Sequence, residues 1–247
     1  SGPDRVAVQV ADAPPEQIAF LNKAHGMERF AHGGRGQNEL REHLTGVRYD
    51  LKHKLQCPDK DLHSAALFHS VYGTEGFQGK TVPLSKRGDL QAVIGERGEF
   101  VAYVNCVMDR SSFDAAVAEL RRRRRLRSEG QSVDESRLKV ASRPETKMEA
   151  SDLSEQQLED LMKVHLADWQ QNVETCNFYS YRRQKIANIA AALGGRFAEV
   201  YADRMACEDE TKPKEVPEMV RARQLGVFDK VISGEISYDK VQGHDLD

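Results

Sequence analysis

Apolar positions recur along most of this chain at three- and four-residue steps, the spacing of one helical face. The clearest case is residues 37–56, where Leu40, Leu44, Val47, Leu51 and Leu55 form one stripe. His43 falls three after Leu40 and four before Val47, so it shares the core side. Upstream, residues 16–31 predict a helix with Ile18, Leu21 and His25 on one face. His32-Gly33-Gly34-Arg35-Gly36 breaks it, because clustered glycines favour loop backbone. A third helix is expected over about 59–71, capped by Asp59 after Pro58, with Leu62, Ala65, Ala66, His69 and Tyr72 at helical spacing. The glycine-rich stretch 73–83 reads as irregular. Helices follow at 85–97, 99–108 and 111–128, the last capped by Ser112 with Phe113, Val117 and Leu120 inward.

Residues 136–150 change period. Leu138 and Val140, then Met148 and Ala150, alternate with polar residues around Arg143-Pro144 and predict a short hairpin. Asp152, Ser154 and Glu155 open a helix to about 174, with Leu158, Leu161, His165 and Asp168 on one face. A last long helix, 181–201, carries Ile186, Ile189, Leu193, Phe197 and Val200. The expected fold is all-α with one small β-hairpin. Residues 1–15 are expected to be a flexible N-terminus, 16–206 a single helical domain and 207–247 a charged extension.

A chain of 247 residues with 39% apolar positions can bury a sizeable core. The formal charge of −3 favours neither nucleic acid nor membrane as a partner, and no apolar run approaches the ~20 residues of a membrane span. Cys57, Cys106, Cys176 and Cys207 are scattered and read as reduced thiols of an intracellular protein. A cytoplasmic location is expected, with an organelle left open. The expected partner is a small-molecule substrate, and self-association stays open.

The chemistry concentrates in His43, His69 and Asp168, each inward on a different predicted helix. Imidazole and carboxylate suit iron, zinc or manganese, and two histidines with one carboxylate leave positions for water or substrate. A carboxylate on an apolar stripe is costly to bury alone, and pairing with Arg182 or Arg183 is the other way to satisfy it. Each inward histidine has its own alternative as a hydrogen-bonded core residue. His32 is a candidate fourth ligand. Glu75, just beyond His69, is a candidate general base on metal-bound water. Tyr72 either donates a hydrogen bond at the site or packs in the core. Arg35, with the amides of Gly33 and Gly34 before a helix, offers an anion cradle. Arg35, Thr74 and His165 are the candidate substrate-binding residues, His165 being also a possible partner or extra ligand beside Asp168. Lys52 and His53 are expected to be solvated. The run Arg121 to Arg125 with Arg127 is expected to be a solvated helix end, where the dipole favours cations, or to contact Glu208 to Glu210 rather than RNA.

The stretch Leu-Phe-His-Ser-Val-Tyr-Gly-Thr-Glu-Gly-Phe at 67–77, with His43 before it and Leu-Ala-Asp-Trp at 166–169 after it, resembles the HD-domain superfamily. More narrowly it is similar to an uncharacterised branch that carries this Tyr-Gly-Thr-Glu stretch and a hairpin before the Leu-Ala-Asp-Trp helix. The resemblance covers roughly 16–201. It implies an HD-like helical bundle with a metal centre, His43 matching the first histidine, His69 the histidine of the His-Asp pair and Asp168 the final aspartate. The paired aspartate is Ser70 here, which removes the carboxylate that would bridge two metals. The implied activity is a metal-dependent hydrolase acting on a small polar or phosphorylated metabolite. Two alternatives stand beside it: an iron-dependent oxygenase of the inositol-oxygenase type, and a non-catalytic ligand-binding or interaction module.

Overall fold

The computed structural model describes residues 3–24, 35–74, 81–172 and 179–202. The chain divides into two compact units, residues 1–171 and 172–247. The apolar pattern placed the domain boundary at 206; a helix's periodicity shows that it buries a face, not which unit it joins.

Eight α-helices and one small sheet are described: α1 Pro3–Asp12, α2 Pro15–Ala24, α3 Arg35–Tyr49, α4 Lys60–Leu67, α5 Arg87–Val107, α6 Arg110–Ser128, β1 Leu138–Val140, β2 Ser151–Leu153, α7 Glu155–Asn172 and α8 Tyr179–Leu193. The fold is all-α with one antiparallel hairpin, as the pattern implied. In the first unit α4 is central, with every residue from Leu62 to Thr74 buried. A helix buried on all sides needs no polar face, so its periodicity was uninformative. Around it pack α3 and α5. Gly98 of α5 lets the two backbones approach, since a Cβ there would lie 3.1 Å from the Asp61 carbonyl oxygen.

Local chemistry explains the ends. Asp59 caps α4, accepting from the amides of Asp61 and Leu62 at 3.0 and 3.4 Å. Ser154 and Gln157 form a reciprocal capping box at α7, at 2.9 and 3.2 Å. For α6 the cap is Asp109, accepting from the Ser112 amide at 2.8 Å. Ser112, the expected cap, instead accepts from the Ala141 amide and ties the helix to the hairpin.

Five expectations change. Residues 3–12 form α1 rather than a flexible lead, and α1 packs on α3. Asp12 at its end accepts from Arg48, from Lys52 at 2.6 Å and from His53 at 3.1 Å, so Lys52 and His53 are anchored rather than merely solvated. The helix over 37–56 ends in a π-helical turn, Asp50–Lys54, which keeps both Leu51 and Leu55 buried. The second strand is Ser151–Leu153, later than Met148 and Ala150, because a 3-10 turn at Pro144–Thr146 takes up the intervening chain. Its register pairs Leu138 with Leu153, both buried.

The fifth change is at α5. The break expected before residue 99 occurs at Gly95, whose φ of 79° and ψ of 161° are outside the helical region. A straight helix would separate Arg87 and Glu99 by about 18 Å at ~1.5 Å per residue. Instead the Arg87 guanidinium holds the Glu99 carboxylate at 2.7 and 2.8 Å, so the corner folds one half of α5 against the other. Tyr72 and Gln91 also donate to Glu99, at 2.8 and 3.1 Å. The arginine run of α6 is likewise satisfied internally: Arg124 reaches Glu159, and Arg127 reaches Glu135 and Glu155 at 2.6 and 2.8 Å. Glu208 to Glu210 lie outside the described residues.

In the second unit, α8 buries Ile186, Ile189 and Ala190, and a further helical stretch begins at Gly195; Gly194 and Gly195 are both at positive φ.

Candidate metal centre

Three elements converge on one point. α3 supplies His43, α7 supplies Asp168, and His69 comes from the tight turn that follows α4 rather than from a helix interior. That turn forms because Phe68 leaves helical φ/ψ; the amides of Val71 and Gly73 then bond back three residues. His43 Nε2 lies 3.2 Å from His69 Nε2 and 3.1 Å from Asp168 Oδ1, and His69 Nε2 lies 3.3 Å from the same oxygen. Ligands about 2.1 Å from a shared ion stand about 3.0 Å apart in octahedral and 3.4 Å in tetrahedral arrangement. The observed triangle matches that window, and the group can hold a metal ion.

The tautomers support the same reading. His69 Nδ1 lies 2.7 Å from the Ala66 carbonyl, which only accepts, so Nδ1 carries a proton and Nε2 is the nitrogen turned toward the group. Nε2 therefore faces a carboxylate and a second imidazole nitrogen, and three electron-rich atoms at 3.1–3.3 Å require a shared proton or a cation. Burial pushes the His69 imidazole down, but the Asp168 charge and hydrogen bond and the Ala66 carbonyl together raise it. Burial pushes Asp168 up, yet His69 and His43 hold it well below the usual carboxylate range. Side-chain exposure falls from 22% at His43 to 10% at Asp168 and 2% at His69, so solvent reaches the group from the α3 side.

A buried polar chain fixes His69 from behind. Asn105 of α5 donates to the His69 carbonyl at 2.8 Å, and Cys106 Sγ approaches the same oxygen at 3.1 Å. His165 Nδ1 lies 3.2 Å from Asn105 Oδ1, while its Nε2 accepts from Trp169 Nε1 at 2.9 Å. His165 thus has both ring nitrogens engaged within this chain behind His69. Arg110, at the start of α6, places its guanidinium 5.8 Å from the Trp169 ring centroid and opposes the positive form of His69. Burial raises the Cys106 thiol to about 12, which keeps it protonated.

Compared with known families, residues 21–110 match a domain of unknown function, DUF6817. The matched stretch contains His43 and His69 and stops short of Asp168. No curated protein and no solved structure matches the chain.

The remaining candidates divide. Tyr72 is buried and donates its hydroxyl hydrogen to Glu99 at 2.8 Å. Thr74 is buried just beyond. His32 and Glu75 lie outside the described residues, as do the side chains of Arg35, Arg182 and Arg183. Ser70 is 4% exposed and its Oγ has no hydrogen-bond partner among the described residues. Sequence reasoning missed Asn105 and Arg110. An asparagine inside the apolar run Val101 to Met108 was the available signal, because a buried amide needs partners; Arg110 had none.

Proposed function

We propose that the protein is a mononuclear metal-dependent enzyme that hydrolyses a small polar or phosphorylated metabolite. The observation that carries this reading is the His43–His69–Asp168 triangle, with edges of 3.1–3.3 Å. A divalent ion bound there would supply a Lewis acid and an acidified water. The chain's own contributions are specific. His69 is locked in the tautomer that offers Nε2. Asp168 stays ionised between two imidazoles. His43 marks the open side for substrate, and Arg110 adds a cation beside the group for an anionic substrate. Glu75 is proposed to take the proton and His32 to complete the ligand set.

A single carboxylate also favours a second reading. With Ser70 where a bridging aspartate would stand, two histidines and one carboxylate on one face are equally the donor set of non-haem iron oxygenases. Elemental analysis of wild type beside Asp168→Ala decides. Zinc or manganese near one equivalent, lost in the variant, with phosphate release from phosphomonoesters, is the expected result. Iron with oxygen consumption would instead select the oxygenase. No metal in either protein after reconstitution would overturn both and leave a binding module.

A further inference from the structure

We propose that a cavity at the turn end of the α3–α4 pair is an anion site for a small hydroxylated phosphomonoester, separate from the metal centre. The cavity measures about 680 Å³, within the usual range for small-molecule sites. Arg48, Lys52, His53, Lys60 and His63 line it, together with Gln17, and no carboxylate among the described residues does. Asp12 of α1 bounds the cluster and accepts from Arg48, Lys52 and His53. Asp59, next to Lys60, is already held by Arg97 at 2.7 Å, so Arg48, Lys52 and Lys60 against Asp12 leave a surplus of positive charge.

Two lining side chains are unfinished. Arg48 is 5% exposed and Gln17 is 6% exposed. Arg48 Nε and Gln17 Oε1 have no hydrogen-bond partner among the described residues, although Gln17 Nε2 is fixed on Ser64 Oγ at 2.9 Å. A buried guanidinium with donor capacity left over matches a phosphate oxygen. A buried amide oxygen matches a hydroxyl hydrogen. His63 donates from Nε2 to the Cys57 carbonyl at 2.7 Å, and this bond holds the imidazole at the cavity wall.

The site is distinct by geometry. At ~1.5 Å of rise per residue, Arg48 and Lys52 lie roughly 8–14 Å from His43 along α3 and the π-helical turn that follows it. His63 lies on α4, a comparable length of chain before His69 in the turn that follows that helix. One phosphate cannot occupy both places, so the inference stands whether or not the metal-enzyme reading does.

The test is calorimetric titration of the full chain with sodium phosphate against sodium chloride at matched ionic strength. Wild type and Asp168→Ala should both bind phosphate saturably. Lys52→Ala/Lys60→Ala, and Lys60→Glu alone at an exposed position, should bind at least about tenfold more weakly with an unchanged circular dichroism spectrum. Absence of saturable binding in wild type, equal affinity in both lysine variants, or loss of binding in Asp168→Ala would each overturn the proposal. The last result would place the phosphate at the metal centre.

Discussion

Replacing Glu99 by glutamine should cost far more than its similar shape suggests. The carboxylate is fully buried and accepts four hydrogen bonds: Tyr72 and Arg87 Nε on Oε1, Arg87 Nη2 and Gln91 on Oε2. An amide keeps one oxygen and turns an NH2 group toward two donors, so at least two bonds are lost along with the charge. Charge-assisted bonds contribute about 1.5–3 kcal/mol each when both partners are buried. Arg87 keeps 28% of its side chain in solvent and can re-hydrate, which discounts its share. The expected loss for Glu99→Gln is about 2–4 kcal/mol. Urea denaturation followed by far-ultraviolet circular dichroism should show a lower midpoint with an unchanged slope. In an Arg87→Met background the same substitution should cost at least about 1 kcal/mol less, because the pair couples across the Gly95 corner. A loss under about 1 kcal/mol, or the same loss in both backgrounds, would refute the corner clamp.

Asn105→Ala should weaken metal binding about tenfold in competition with a chromogenic chelator while the helical content persists; unchanged affinity would remove Asn105 from the positioning chain. Burial raises the Asp12 carboxyl, but bonds from Lys52, His53 and Arg48 outweigh it and hold the group low. A folded value below the unfolded one adds stability that is complete above about pH 4 and lost as pH falls further. Asp12→Asn should therefore lower Tm at neutral pH, with the gap to wild type closing in acid; a gap constant down to pH ~2 would refute the assignment. Gly98→Ala should destabilise by about 1 kcal/mol, the crowding against the Asp61 carbonyl outweighing the better helix propensity. A gain in Tm would mean that α4 and α5 do not approach so closely.

The fold was legible where one residue's chemistry acts locally. The Leu44-Val47-Leu51 stripe, the Asp59 cap and the change of period at Leu138 each point to their elements without outside help. Asp12, Gly95 and the arginines of α6 were not legible, because what they do depends on partners far away in sequence: Arg48, the Arg87–Glu99 pair, Glu155 and Glu159. At the site, inward positions on separate apolar stripes were enough to bring His43, His69 and Asp168 together. That His69 sits on a turn was hidden, since Phe68, His69 and Tyr72 are buried whether the chain is helix or turn there. His165 lay on the correct face, but its role is set by Asn105 and Trp169, and no spacing rule ranks those partners above a ligand.

The three convergent side chains lie at residues 43, 69 and 168, so any ion they share is also a cross-link through most of the first unit. A cross-link closing a loop of about a hundred residues removes about 4–5 kcal/mol of chain entropy from the unfolded ensemble. An ion that binds the folded chain alone therefore ties thermal stability to free metal concentration. Chelation would then loosen the packing of α3, α4 and α7 at once, making metal supply a control on how long the folded chain persists as well as on what it can do.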